Sequence, residues 1–250
     1  MELIKKVDAI KYEKGKQTKT TERLVSDETV HLIINDSHAR SFSTISDSLE
    51  DFAIGYLIGE RIISSISEIK EVKIEGTEIK ITIDNYKENE DLMLCSDSSG
   101  GWRSKITSVG EVKSKLKITA DELIKNIEKL KEEAFIWQKT GGTHVAAIVN
   151  NEKNEFIVRE DVSRHVAVDK VIGAGARRNF DFSNSYVIYS GRMPGDMVIK
   201  IARAGIPILA SNAAPSFSGY TTAEKGKITL VGFIRGDRFN VYTEPDRIVF

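Results

Sequence analysis

From residue 119 onward the sequence alternates between apolar runs of strand length and stretches with helical periodicity, which leaves few folds open. A helical stripe of Leu123, Ile124, Ile127, Leu130, Ala134 and Trp137 follows the cap Thr119-Ala120-Asp121-Glu122. Strands are predicted at 144–149 and 156–158, then a charged helix, a strand at 186–189 and a helix at 194–203. A strand at 206–209, a helix near 219–224 and strands at 228–233 and 239–242 complete the series. A sheet whose strands are apolar on both faces must be covered by helices on both. The alternation therefore predicts an α/β domain over 116–250, built as a three-layer α/β/α sandwich.

The first 115 residues read differently. Residues 6–22 are polar and lysine-rich and are expected as an extended arm. Two strands around 30–34 and 40–43 turn at Asn35-Asp36. Asp47-Ser48-Leu49-Glu50 has the spacing of a capping box ahead of an amphipathic helix ending near Gly59. A hairpin follows at 69–74 and 78–83 across Gly76. These patterns predict a smaller N-terminal α+β domain over 1–115. Within it, 85–110 reads as a mobile loop carrying Cys95-Ser96-Asp97-Ser98-Ser99-Gly100-Gly101.

Composition removes several function classes. Net charge is −1, so nothing draws the whole chain to nucleic acid or membrane, and any anion site is local. One cysteine admits neither an internal disulfide nor a multi-cysteine metal site within the chain. No apolar run reaches the length of a membrane span, and the first residues lack a signal-peptide core, so a cytoplasmic location is expected. Walker A and Gly-x-Ser-x-Gly sequences are absent. The helix order resembles zinc nucleobase deaminases, but His144-Val145-Ala146 has no Glu two residues on and a single thiol cannot supply their ligands, so no zinc is expected.

The densest chemistry lies in 159–173, where ionisable side chains interleave with Val162, Val168, Val171 and Ile172. Asp161 or Ser163 can cap a helix there that Gly173 and Gly175 end. His165 and Asp169 then share a face, either as an oriented acid/base pair on a ligand site or as part of a solvated charged face. Polar junctions recur at strand ends: Thr140-Gly141-Gly142-Thr143-His144, Arg159 to Arg164, Ser190-Gly191-Arg192, Ser211 to Ser216, and Phe233-Ile234-Arg235-Gly236-Asp237-Arg238. Glycine lets amides approach an anion, and arginine suits bidentate phosphate contacts. Together these junctions fit a pocket for a large phosphorylated ligand, with Arg159, Arg164, Arg192 and Lys200 as its cations; the alternative is arginines facing water. Cys95 is either a small buried hydrophobe or, beside Arg103 among backbone N–H groups, a thiolate able to carry sulfur.

The same residues carry a resemblance. The junction at Thr140 to Ala146, the 159–173 stretch, Ser190-Gly191-Arg192, Met197-Val198-Ile199-Lys200, Ala204-Gly205-Ile206-Pro207 and 232–248 resemble the formate dehydrogenase accessory proteins of the FdhD/NarQ family, as does 48–63. The resemblance implies a cytidine-deaminase-like fold without zinc and a sulfurtransferase role. A persulfide from a cysteine desulfurase would pass by way of Cys95 to the molybdenum cofactor, Mo-bis-molybdopterin guanine dinucleotide, before that cofactor enters formate dehydrogenase or a related molybdo- or tungsto-oxidoreductase. Residues 233–238 would line the nucleotide site, with Phe233 or Phe239 against a guanine. The wider cofactor-binding set would comprise Thr140, Gly141, Gly142, His144, Arg159, Arg164, Lys170, Ser190, Arg192 and Lys200. GDP or GTP would mimic the ligand, and a homodimer is expected. Where the family usually reads Cys-Gly-x-Cys-Gly, Ser98 stands at the second cysteine; Ser163 and Val166 replace a usual Gly and Asn. Two further readings stay open: a non-catalytic cofactor chaperone and an unrelated nucleotide-binding regulator.

Overall fold

The computed structural model describes residues 2–84, 92–94, 102–104 and 109–250, with backbone alone at 38–39, 92–94 and 102–104. Two strands, β1 (Ile4–Glu13) and β2 (Lys16–Val25), pair antiparallel in full register. The region expected as an extended arm is therefore a hairpin. Its turn is Lys14-Gly15, both at positive φ, a two-residue turn whose twist suits paired strands. Next come β3 (Glu28–Ile34) and β4 (His38–Thr44), helix α1 (Leu49–Gly59), β5 (Ile69–Glu75) and β6 (Glu78–Ile83). They form a four-stranded sheet in the order β4-β3-β6-β5, with β3 and β6 parallel. The short pair β7 (Leu92–Leu94) and β8 (Trp102–Ser104) is antiparallel.

The capping box expected at Asp47 does not form. Ser48 adopts a left-handed conformation with no side-chain cap, and a capping box closes instead on Ser65 and Glu68. Neither is α1 amphipathic: every residue from Leu49 to Gly59 except Glu50 is buried, Asp51 included.

The second half opens with β9 (Ile118–Thr119), α2 (Ala120–Glu132) and α3 (Phe135–Thr140). One long helix was expected over 119–137; the chain breaks at Glu133 and Ala134 and restarts because Glu160 accepts the Ile136 and Trp137 N–H groups, each at 2.7 Å. A carboxylate from the sheet thus caps α3 where the sequence offers no local cap. Then follow β10 (His144–Asn150), β11 (Glu155–Asp161), α4 (Arg164–Arg177), β12 (Ser185–Tyr189), α5 (Gly195–Arg203), β13 (Ile208–Ser211), α6 (Phe217–Gly226), β14 (Thr229–Arg235), β15 (Arg238–Thr243) and β16 (Ile248–Val249).

The central sheet runs β11-β10-β12-β13-β14-β15, parallel from β12 to β14 and antiparallel outside. Alternate residues feed different cores. Ala146, Ile148, Val187, Tyr189, Leu209 and Leu230 join α4, α5 and α1 in one cluster. Val145, Ala147, Val149, Tyr186, Ile188, Ile208 and Val231 pack with α2 and β16 in the other. The period-two alternation thus fills both faces.

Helix α4 is buried from His165 to Ala176, so the solvated-face alternative fails. Ser163 is its N-cap, accepting from Val166 N–H at 3.5 Å. Gly173 and Gly175, expected to end the helix, lie inside it. A β-carbon on Gly173 would fall 2.7 Å from the Asp51 carbonyl carbon and 2.9 Å from Gly55 N, and one on Gly55 would meet Asp169 and Gly173 backbone as closely. The glycines let α1 and α4 touch backbone to backbone. The first core cluster consequently draws residues from both sides of residue 115.

Candidate functional site

Strand direction gathers the polar junctions. Parallel β12, β13 and β14 deliver Ser190-Gly191-Arg192, Ser211-Asn212-Ala213 and Phe233 to Arg238 at their carboxyl ends. Because β10 is antiparallel to β12, its first residue His144 lies at the same edge, with Thr140, Gly141 and Gly142 just before it. Asp161, which ends β11 opposite His144, hands the chain to the N-terminus of α4 there, placing Arg164 and His165. Open α/β sheets bind ligands at such carboxyl edges.

The edge is knitted from backbone and hydroxyls. Ser190 Oγ accepts Val145 N–H at 3.0 Å and lies 3.3 Å from His144 Nδ1. Ser211 Oγ donates to the Gly191 carbonyl at 2.7 Å and accepts from Ala213 N–H at 3.0 Å. Tyr189 OH donates to the Arg192 carbonyl. Phe233, at positive φ, donates its N–H to the Ala213 carbonyl at 3.1 Å, tying the last hairpin to the neighbouring loop. Gly191 is confined: a β-carbon there would meet the Tyr189 ring at 2.7 Å and Arg164 Cβ at 3.1 Å. Burial and the Arg164 charge push the His144 imidazole below its ordinary value, with Asp161 opposing, so the ring is neutral near pH 7.

The expected cations divide into two groups. Arg164 is half-buried and Arg192, Arg235 and Arg238 are exposed, and none makes a salt bridge among the described residues. Arg235 lies over the Phe233 ring at 5.7 Å. These four remain available to an anion at the edge, although the turn at 233–238 sits two strands beyond β12, roughly 10 Å away.

The other three, Arg159, Lys170 and Lys200, are paired inside the fold rather than at the edge. Arg159 binds Asp51 through Nε at 2.9 Å and Nη2 at 2.7 Å, and Arg177 takes the other oxygen at 2.8 Å. Lys170, wholly buried, reaches Asp161 at 2.8 Å, and Thr44 Oγ1 donates to the same carboxylate at 2.5 Å. Lys200, also buried, pairs with Asp169, and Glu60 lies 3.9 Å away. All three neutralise buried carboxylates on α4 and the elements packed against it, so their charge is not offered to phosphate.

Asp169 faces Lys200 and is wholly buried, away from solvent. His165, equally buried, has Nε2 3.4 Å from Asp196 Oδ2 at the start of α5. Sequence spacing pairs His165 with Asp169; Asp196, which the α4–α5 packing brings up, lies beyond the reach of that spacing. Thr140 Oγ1 donates to the Ile136 carbonyl and accepts from Gly142 N–H, and Gly141 takes the left-handed C-cap position of α3. Ile234 is a core residue rather than part of a lining. Phe239 packs on that core and stacks on Phe250 at 6.3 Å, so it is engaged, whereas Phe233 is exposed. Gly236 and Asp237 form the exposed turn. Cys95 and Ser98 lie outside the described residues.

Trp137 belongs to the helical stripe rather than to a polar junction, and Asn212 to the junction at Ser211 to Ser216. With His144 and Ser190 they border a cleft of about 260 Å³ between α2, α3 and the edge. Among the described residues no cluster of His, Cys, Asp and Glu could hold a metal ion, and no helix is long and apolar enough to cross a membrane.

Known proteins resemble this chain over its length. The model of the FdhD/NarQ family matches residues 25–249. A Methanothermobacter thermautotrophicus protein named sulfur carrier protein FdhD is 43% identical, covering 100% of both chains. A Sulfolobus acidocaldarius protein of the same name is 31% identical over 98% of each. The crystal structure of a Desulfotalea psychrophila protein, described as a candidate formate dehydrogenase accessory protein, superposes with a TM-score of 0.85. It is 26% identical, covering 99% of this chain and 100% of that one.

Proposed function

The chain belongs to the FdhD/NarQ family, and on that premise we propose that it is a sulfur carrier acting in formate dehydrogenase maturation. The observation that carries the reading is the end-to-end correspondence with proteins named sulfur carriers, in a chain that has a single thiol. Sulfur held as a cysteine persulfide therefore resides on Cys95. The Cys95 thiolate attacks the outer sulfur of a cysteine desulfurase persulfide. A new sulfur–sulfur bond forms, the old one breaks, and the desulfurase cysteine leaves as thiolate.

The destination of the sulfur is the molybdenum cofactor, a substrate here, with its guanine dinucleotide phosphates at the carboxyl edge of the sheet. Arg164 and Arg192, with Arg235 and Arg238 along the edge, supply the positive charge, and the N-terminus of α4 adds its dipole. What supports this is the convergence of the polar junctions on one edge with arginines uncommitted to internal pairs. His165 and Asp196 bridge α4 to α5 behind that edge and orient rather than react.

The test is mass spectrometry after incubation with a desulfurase and cysteine. A gain of one sulfur atom, absent in Cys95→Ala, is expected. No gain, with Cys95→Ser still supporting formate dehydrogenase maturation, would instead make the chain a cofactor chaperone without sulfur transfer.

A further inference from the structure

We propose that the amino end of the central sheet carries a docking trough for an extended acidic segment of a partner protein, which adds as a strand along residues 111–115. The proposal goes beyond the sulfur-carrier reading and does not rest on it. Two adjoining clefts, of about 530 Å³ and about 700 Å³, share Glu111, Val112, Lys113 and Ser183 and so form one trough. Its far wall holds Asn184, Gly205 and Lys227, which lead into β12, β13 and β14. The trough therefore lies a strand's length, roughly 15 Å, from the carboxyl edge where the polar junctions gather.

The segment that runs through the trough is built like the edge of a sheet. Val112, Leu116 and Ile118 are buried, whereas Glu111, Lys113, Lys115 and Lys117 between them are exposed. That is the period of an extended strand, and the chain continues directly into β9, which pairs with β16. One edge is engaged: Val112 donates its N–H to the Gly226 carbonyl at 2.8 Å, and its carbonyl accepts from Arg247 at 3.3 Å. Ser114 Oγ anchors the middle by donating to the Ser183 carbonyl at 2.6 Å. In an extended chain the backbone groups of Glu111, Lys113 and Lys115 point the other way, and they make no hydrogen bond among the described residues. An unpaired edge of this kind takes up an extended peptide through main-chain hydrogen bonds.

Charge selects the occupant. Arg61, Lys113 and Lys115 line the trough with no salt bridge among the described residues. Of the carboxylates there, Asp181 accepts from Ser183 N–H and Oγ and from Asn184, which holds it below its ordinary value. Glu244 pairs with Lys227 at 3.2 Å, so Glu111 alone is left to oppose the three cations. Acidic side chains on an added strand meet that excess, and half-buried Phe182 and Ala202 offer an apolar wall to the alternate ones. Position gives the trough a use. Ser64 in its wall donates its N–H to Glu68 at 2.7 Å, the Glu68 carbonyl accepts the Asp84 N–H at 3.1 Å, and Gly110 lines the same cleft. Cys95 lies between Asp84 and Gly110 in sequence, so a partner seated here stands where both flanks of the thiol-bearing segment join the body.

The probe is a fluorescein-labelled peptide of alternating Glu and Val, titrated with the full chain and read by fluorescence anisotropy. Its binding should weaken as salt rises. Lys113→Glu combined with Lys115→Glu should weaken it about tenfold, and the milder Lys113→Gln with Lys115→Gln should fall between; circular dichroism matching the parent shows that both variants fold. The fully N-methylated peptide keeps the charge but loses its edge donors, and it should also bind about tenfold more weakly. Saturating GDP should leave the peptide bound. Absence of binding, or binding untouched by either pair of substitutions, overturns the proposal. Equal binding of the N-methylated peptide overturns it too, because charge alone would then suffice. Displacement by GDP would move the peptide to the carboxyl edge, and tighter binding of an oligothymidylate of the same length would make the trough a nucleic-acid groove; either result is equally fatal.

Discussion

Alanine at Gly173 opposes two effects of known sign. In an isolated helix the change favours the helical state by about 1 kcal/mol. In this fold the new methyl group meets the Asp51 carbonyl carbon at 2.7 Å and Gly55 N at 2.9 Å, both backbone atoms that cannot rotate aside. Helices α1 and α4 must separate, loosening Phe52, Ala53 and Val168 around the crossing and straining the pairs of Asp51 with Arg159 and Arg177. Overpacking of this kind costs about 1–3 kcal/mol, and a rigid obstacle places it at the upper end. The net expectation is destabilisation by about 2 kcal/mol, which for a chain of this size lowers Tm by roughly 4–8 °C. Thermal unfolding followed by circular dichroism reads the shift. Gly110→Ala, where the added carbon meets no described atom within 4 Å, serves as control and should stay within about 0.5 kcal/mol of the parent. A Gly173→Ala protein as stable as the parent would show that helix propensity outweighs the crossing, and the account of how the halves are joined would be wrong.

Three further outcomes follow from the same geometry. Lys170→Met leaves Asp161 buried with its positive partner gone and should cost about 3–5 kcal/mol in urea unfolding, part of it recovered by adding Asp161→Asn; a neutral single substitution contradicts the ion pair. Because the folded His144 titrates below its ordinary value of 6.5, its contribution to stability is present above that value and lost as pH falls toward the folded one. His144→Gln should therefore flatten the decline in urea midpoint below about pH 6.5, and parallel pH profiles would count against this. Arg164→Ala should weaken GDP binding about tenfold or more and reduce its salt dependence, whereas an unchanged isotherm removes Arg164 from the phosphate site.

Much of the architecture was legible from local pattern. Continuous apolar runs within 144–149 and at 186–189 marked strands covered on both faces, and the turns at Asn35-Asp36 and Gly76 marked hairpins. The polar junctions were equally readable, because glycine, serine and arginine at strand ends need no partner to be recognised. The breaks came from one distant group and from one local turn whose conformation the charged composition hid. Glu160 restarts a helix at Ile136 from 24 residues away, and the Lys14-Gly15 turn folds what looked like a charged arm.

Sequence alone determined most strands and helices of the second half, the polar loops at their strand ends, and the membership in one family that nearly every motif supports. Only tertiary structure decided which charges face a ligand. Arg159 finds Asp51 across 108 residues, and Asp161, bound to Lys170, accepts from Thr44 across 117. A local reading sees a cation within the same polar stretch in each case and cannot distinguish it from Arg164. The physical reason is that a charge is withdrawn from binding by its partner and its burial, and both are properties of packing between segments far apart in the chain.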